Sequence, residues 1–96
     1  MAKWKYTINS GSALREAIDN EDTEQVVKCL LLCYKELSDK LSEKDKNWFG
    51  EGIEQEVYTL DYIDRMGVED EDADEINNRL EEFYDLCDNV RAFVAL

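Results

Sequence analysis

Residues 23–41 read TEQVVKCLLLCYKELSDKL. Val26, Leu30, Cys33, Leu37 and Leu41 recur at spacings of three and four, which puts them on one face of a helix. Val27, Leu31, Leu32 and Tyr34 widen that face until the middle of the segment is apolar almost all round. A helix of this kind is packed from more than one side, so the segment predicts a central helix on which the rest of the chain folds. Asp22 with Gln25 three residues on marks its start. The pair resembles a capping box in which Asp replaces the usual Ser or Thr.

Upstream, Leu14, Ala17 and Ile18 predict a short helix over about 12–20, too short to be stable alone. Asn9-Ser10-Gly11-Ser12 is turn chemistry that can cap it. Residues 3–8 alternate, with Trp4, Tyr6 and Ile8 on one face and Lys3, Lys5 and Thr7 on the other, as in a short strand or extended arm. Downstream, Ser42-Glu43-Lys44-Asp45 is a second cap signal. A third helix follows to about residue 65, with Phe49, Ile53, Val57, Leu60 and Ile63 inward. Gly50 and Gly52 in its first turns each cost about 1 kcal/mol against Ala and predict a kink or a break into two pieces, and Gly67 is placed to end it. Ile76, Leu80, Phe83, Cys87 and Val90 predict a fourth helix over about 74–90. The apolar residues 92–96 either continue that helix or extend and pair with the N-terminal arm. The expected fold is all-α: one domain over residues 1–96, a small bundle of about four helices, with the paired termini as an optional minor strand element.

Composition agrees with a single folded domain. The chain has 96 residues, is 44% hydrophobic, contains ten aromatics and has no proline. The first residues, Met-Ala-Lys-Trp-Lys, lack the apolar stretch of a secretory signal, and no apolar run approaches the ~20 residues that span a bilayer. An acidic surface is also repelled by anionic headgroups, so a cytoplasmic location without membrane contact is expected. The odd number of cysteines, Cys29, Cys33 and Cys87, set among leucines, reads as reduced and buried. With no histidine in the chain they do not complete a usual metal set, so no metal and no cofactor are expected. There is no Gly-rich phosphate loop and no nucleophile in a recognisable setting, which argues against an enzyme.

The charge is the sharpest functional signal. Of the net −13, residues 47–96 carry −12 from 15 Asp/Glu and 3 Arg, and no lysine follows Lys46. A field of one sign repels nucleic acid and attracts basic surfaces, including those that ordinarily bind nucleic acid. On the fourth helix Asp74, Glu81, Asp85 and Asp88, with Asn78 among them, form a stripe opposite the apolar one, flanked by Glu75 and Glu82. The stripe covers ~21 Å of helix axis. A DNA strand has a phosphate every ~3.4 Å, so one helix gives a sparser line of charge. Asp61 and Asp64 of the third helix, with Glu51, Glu54 and the 69–72 loop, raise the density. A merely soluble helix interleaves Lys with Glu, and this one does not. Tyr58 and Tyr62, four apart beside the buried stripe, are suited to an interface, and Trp48-Phe49 either anchors a partner or caps the core at the turn between helices two and three.

In size, charge and helical layout the chain resembles the small acidic proteins encoded by phages of Gram-positive bacteria, some of which inhibit host defence or DNA-handling proteins by imitating DNA. The resemblance implies a non-enzymatic inhibitor or modulator. It would bind a basic host protein, one that handles nucleic acid, through Asp61, Asp64, Asp74, Glu75, Glu81, Glu82, Asp85 and Asp88, and would not bind nucleic acid directly. The alternatives are a phage structural or assembly subunit and an immunity-type protein that blocks a toxin nuclease.

Residues 70–81 also resemble an EF-hand loop. Asp70, Asp72 and Asp74 match the first three side-chain ligands, Ile76 the carbonyl position, Asn78 the ninth and Glu81 the bidentate twelfth. The sixth position needs Gly for its sharp turn and here is Glu75, the eighth is Asn77 where an aliphatic is usual, and there is no second loop. Calorimetric titration with micromolar to millimolar calcium should therefore give no saturable heat. A one-site isotherm that Glu81→Ala abolishes would overturn this.

Overall fold

The computed structural model describes residues 6–89 and 92–94. Lys3, Trp4, Lys5, Val90, Ala95 and Leu96, all assigned above to an arm or a helix stripe, lie outside the described residues. The elements in chain order are β1 (Tyr6–Ile8), α1 (Gly11–Asp19), α2 (Thr23–Lys40), α3 (Glu43–Met66), α4 (Asp72–Asn89) and β2 (Ala92–Val94). The fold is thus an all-α bundle of four helices. The C-terminal segment does not prolong α4 as a helix but pairs with β1, in parallel, with Tyr6 opposite Ala92 and Ile8 opposite Val94.

α2 is the centre of the bundle, in contact with α1, α3, α4 and β1. Eight of its residues are buried, from Val26 to Leu37, and they belong to one continuous cluster with Ile8, Leu14, Ile53, Leu60, Ile63, Ile76, Phe83 and Cys87. Tyr34 of α2 meets Phe83 of α4 edge to face, with ring centroids 4.9 Å apart. Leu32 departs from the expected pattern. It lies on the one side of α2 that nothing covers and is 53% exposed.

The caps explain where the helices begin. Asp22 accepts the Gln25 N–H at 3.3 Å and opens α2, and Ser42 accepts the Asp45 N–H at 3.3 Å and opens α3. Helix α1 is capped differently from the sequence expectation. Ser10 stands at its N-cap but makes no capping bond of its own. Glu36 of α2 instead accepts the backbone N–H groups of Asn9 (2.6 Å) and Ser10 (2.9 Å) and the Ser10 hydroxyl (2.7 Å). Lys40 completes the clamp, 2.8 Å from Glu36 and donating to the Thr7 carbonyl. Beside it the Tyr6 hydroxyl accepts the Ser42 N–H at 3.0 Å and donates to Asp45, tying β1 to the α2–α3 turn.

Among the described residues two turns carry positive φ. Gly67 (φ 86°) ends α3 as expected. Glu21 (φ 54°) ends α1: its N–H bonds the Ile18 carbonyl and the Asp22 N–H that of Ala17. That is the Schellman pattern with Glu in the position that favours Gly. Of the kink or break expected at Gly50 and Gly52, the break is not found, because α3 is unbroken over 24 residues. Burial of Ile53, Leu60 and Ile63 along one side outweighs the local propensity.

A Cβ added at Gly52 meets nothing within 4 Å. Gly52→Ala should therefore raise stability by about 1 kcal/mol in denaturant unfolding, and Glu21→Gly should raise it by a similar amount. Glu36 tests the clamp. Burial works against its charge, but the bonds from Lys40, Ser10 and Asn9 prevail and hold its carboxyl down at about 2. The stability this gives is present above the unfolded value near 4.3 and is lost as pH falls from roughly 5 towards 2. Glu36→Gln should cost on the order of 1–2 kcal/mol at neutral pH, allowing for the solvent that still reaches the pair. The gap to the wild type should close over that acid range, and a gap independent of pH would mean the carboxylate's charge is not what closes the corner.

Candidate protein-binding surface

The acidic stripe of α4 is built as its periodicity implies. Ile76, Phe83 and Cys87 face the core, so Asp74, Glu81, Asp85 and Asp88 on the opposite side are exposed. Among the described residues none of these four has a Lys or Arg nitrogen within ion-pair distance. Helix α4 starts two residues earlier than expected, at Asp72, whose carboxylate accepts the Glu69 N–H at 3.1 Å. From Asp72 on, the residues that match an EF-hand are helical, and positions two apart point about 200° away from each other. They do not converge, and among the described residues no group of three or more His, Cys, Asp or Glu side chains is placed to hold a metal ion.

Glu75 and Glu82 belong to a different cluster. Both flank Arg79, at 3.3 and 3.8 Å, and Arg79 also donates to Glu56 of α3. The guanidinium is largely shielded, yet Glu56, Glu75 and Glu82 keep its proton held more tightly than usual. Glu56 is pushed above the usual carboxylate range by burial, with Arg79 opposing and the charge of Glu82 adding to the push. Its Oε1 takes the Arg79 bond, and its Oε2 is buried without a hydrogen-bond partner.

Asp61 and Asp64 do not join the α4 stripe. Glu56 marks the side of α3 that meets α4, and Asp61 lies about 140° around the axis from it. Asp61 is bound by Arg65 at 3.1 Å and feels Lys35 of α2, so its carboxyl is held below the usual range first by the Arg65 bond. Asp64 is half-buried, on the side of α3 between Glu56 and Asp61. The sequence-predicted residues thus divide into an exposed stripe (Asp74, Glu81, Asp85, Asp88), an Arg79 cluster (Glu75, Glu82) and a separate α3 flank (Asp61, Asp64).

What the sequence understated is the outward side of α3. Trp48 is 81% exposed, Tyr58 74%, Met66 68% and Tyr62 57%, and at 3.6 residues per turn all four fall on the side facing away from Ile53 and Leu60. Trp48 and Phe49 separate in role: Phe49 packs against the core, while Trp48 stands in solvent. The signal is present in the spacing 58, 62, 66, but a helix expected to end near residue 65 leaves Met66 out, and Trp48-Phe49 allows either a partner anchor or a core cap.

The cysteines take no part in any surface. Cys29, Cys33 and Cys87 are free and buried, and burial pushes the Cys33 and Cys87 thiols up to about 12. No helix among the described residues is long and apolar enough to cross a membrane. Compared with protein-family models, curated proteins and solved structures, the chain matches none.

Proposed function

We propose that this protein is a non-enzymatic, phage-type inhibitor or modulator that binds a basic, nucleic-acid-handling host protein in the cytoplasm. The observation that carries the reading is the exposed stripe of Asp74, Glu81, Asp85 and Asp88, unneutralised among the described residues. Carboxylates left without cations along one helix side cost self-repulsion and add little to the fold, so a complementary positive surface is what they suit. This narrows the contact from two helices to the outward side of α4, with the Arg79 cluster at its border. Asp61 and Asp64 contribute to the long-range field rather than to the contact.

The aromatic side of α3 favours a second reading, a phage assembly subunit that associates through Trp48, Tyr58, Tyr62 and Met66. Sedimentation equilibrium separates the two. An assembly subunit forms oligomers that Tyr58→Ser with Tyr62→Ser dissolves, whereas a modulator stays monomeric at micromolar concentration.

For the leading reading, a bacterial protein captured on the immobilised chain should be released as NaCl rises from 0.05 to 0.5 M, since the Debye length falls from roughly 14 to roughly 4 Å. It should also be released by duplex DNA. The triple variant Glu81→Lys, Asp85→Lys, Asp88→Lys should abolish capture with helical circular dichroism unchanged. Capture that survives both the salt and the reversal would rule the acidic-stripe model out.

A further inference from the structure

Between α3 and α4 lies a cleft of about 270 Å³ lined by Tyr34, Trp48, Phe49, Ile53, Glu56 and Glu82, with Gly52 and Leu86 at its edge. Three aromatic rings and two carboxylates share one opening. Trp48 is almost wholly exposed and stands 6.2 Å from the tilted ring of Phe49. Tyr34 is buried and forms the floor, and Glu56 and Glu82 line the same cleft.

The charge in the cleft is not balanced. Glu56, Glu75 and Glu82 share one guanidinium, that of Arg79. Arg79 satisfies only one Glu56 oxygen, and the other, Oε2, is buried with no donor. A buried acceptor without a donor carries a desolvation cost that a second cation can relieve. The Glu82 carboxylate lies against that of Glu56, and its Oε2 is 3.8 Å from Arg79, beyond hydrogen-bond length, so the two carboxylates crowd each other with one guanidinium between them.

We infer that this cleft receives one arginine side chain of the basic partner, its guanidinium lying on Trp48 and bonding the Glu56 and Glu82 carboxylates. The volume falls below the roughly 300–1,000 Å³ of pockets that take a drug-sized molecule, and suits a single side chain. Arginine fits better than lysine on two counts. Its planar, delocalised cation stacks on an indole, and its fork of donors reaches two carboxylates at once. A polar anchor of this kind, walled by aromatics at the edge of a charged stripe, is the setting in which a few residues dominate binding. The inference rests on the proposed basic partner, and it adds a point of specificity that the stripe alone lacks.

The test uses the full chain, ¹⁵N-labelled, titrated with the blocked tripeptide acetyl-Gly-Arg-Gly-amide in heteronuclear NMR. Saturable shifts should appear at the Trp48 indole N–H and at the Phe49 and Glu82 amides, with millimolar affinity. The same peptide with citrulline, a neutral isostere, should produce none, and the lysine peptide should bind at least fivefold more weakly. Trp48→Ala and Glu82→Gln are exposed changes that leave the core alone, and each should weaken the arginine peptide by fivefold or more. Equal response to citrulline or lysine, or shifts spread evenly along Asp74, Glu81, Asp85 and Asp88, would overturn the assignment. The two readings fail separately. Loss of lysate capture on charge reversal with no peptide response at Trp48 leaves the stripe and removes the cleft, and a peptide response with salt-insensitive capture does the reverse.

Discussion

One helix makes this fold possible. α2 is buried over most of its circumference, and α1, α3, α4 and β1 each find their apolar partner on it. With Cα extents of 36 × 27 × 18 Å the molecule is about two helix layers thick. A chain of this size buries little more than 60% of its unfolded surface, so it supports one core and no second. That leaves the outer helices covered on one side only. The outward sides of α3 and α4 are therefore free to carry features that the fold does not need, and they carry different ones, aromatic on α3 and acidic on α4.

The cost of this division is visible in the few cations of the second half. Arg65 and Arg79 are both engaged, the first by Asp61 and the second by three glutamates. Neither neutralises the α4 stripe. The less exposed ion pairs sit at the joints, Arg79 between α3 and α4 and the Glu36–Lys40 pair where β1 and α1 meet α2, while Arg15–Asp19 and Arg65–Asp61 are exposed pairs within α1 and α3. Charge is compensated where α3 meets α4 and where β1 and α1 meet α2, and left open along the α4 stripe. A partner would then approach a surface already rigid beneath its charges, which limits the ordering cost of association.

Much of this could be read from the chain. Helical period is a local property, so the stripes of α2 and α4, the caps at Asp22 and Ser42 and the stop at Gly67 were all legible. The pairing of the termini was one of two outcomes the sequence allowed. What failed was tertiary in origin. Gly50 and Gly52 suggest a kink or a break, and the break is absent because packing overrides propensity. Leu32 looks buried until one knows which side of α2 stays uncovered. Glu36 caps a helix 26 residues upstream, and no short-range pattern signals that. Asp61 and Asp64 were grouped with α4 because the sequence does not state how α3 is rotated about its own axis. The meeting of Trp48, Glu56 and Glu82 depends on that same rotation.

The parallel pairing of β1 with β2 also sets an order of events during synthesis. Tyr6–Ile8 is made before the helices, yet its backbone partner, Ala92–Val94, follows all four of them. Helices close local contacts in microseconds, whereas joining segments so far apart must wait for everything between them. A nascent chain emerging from the ribosome therefore holds its first strand as an unpaired edge until its last described strand has been translated. Until then the clamp of Glu36 and Lys40 on residues 7–10, the Tyr6 hydroxyl at the α2–α3 turn and the burial of Ile8 are what hold that strand against the helices.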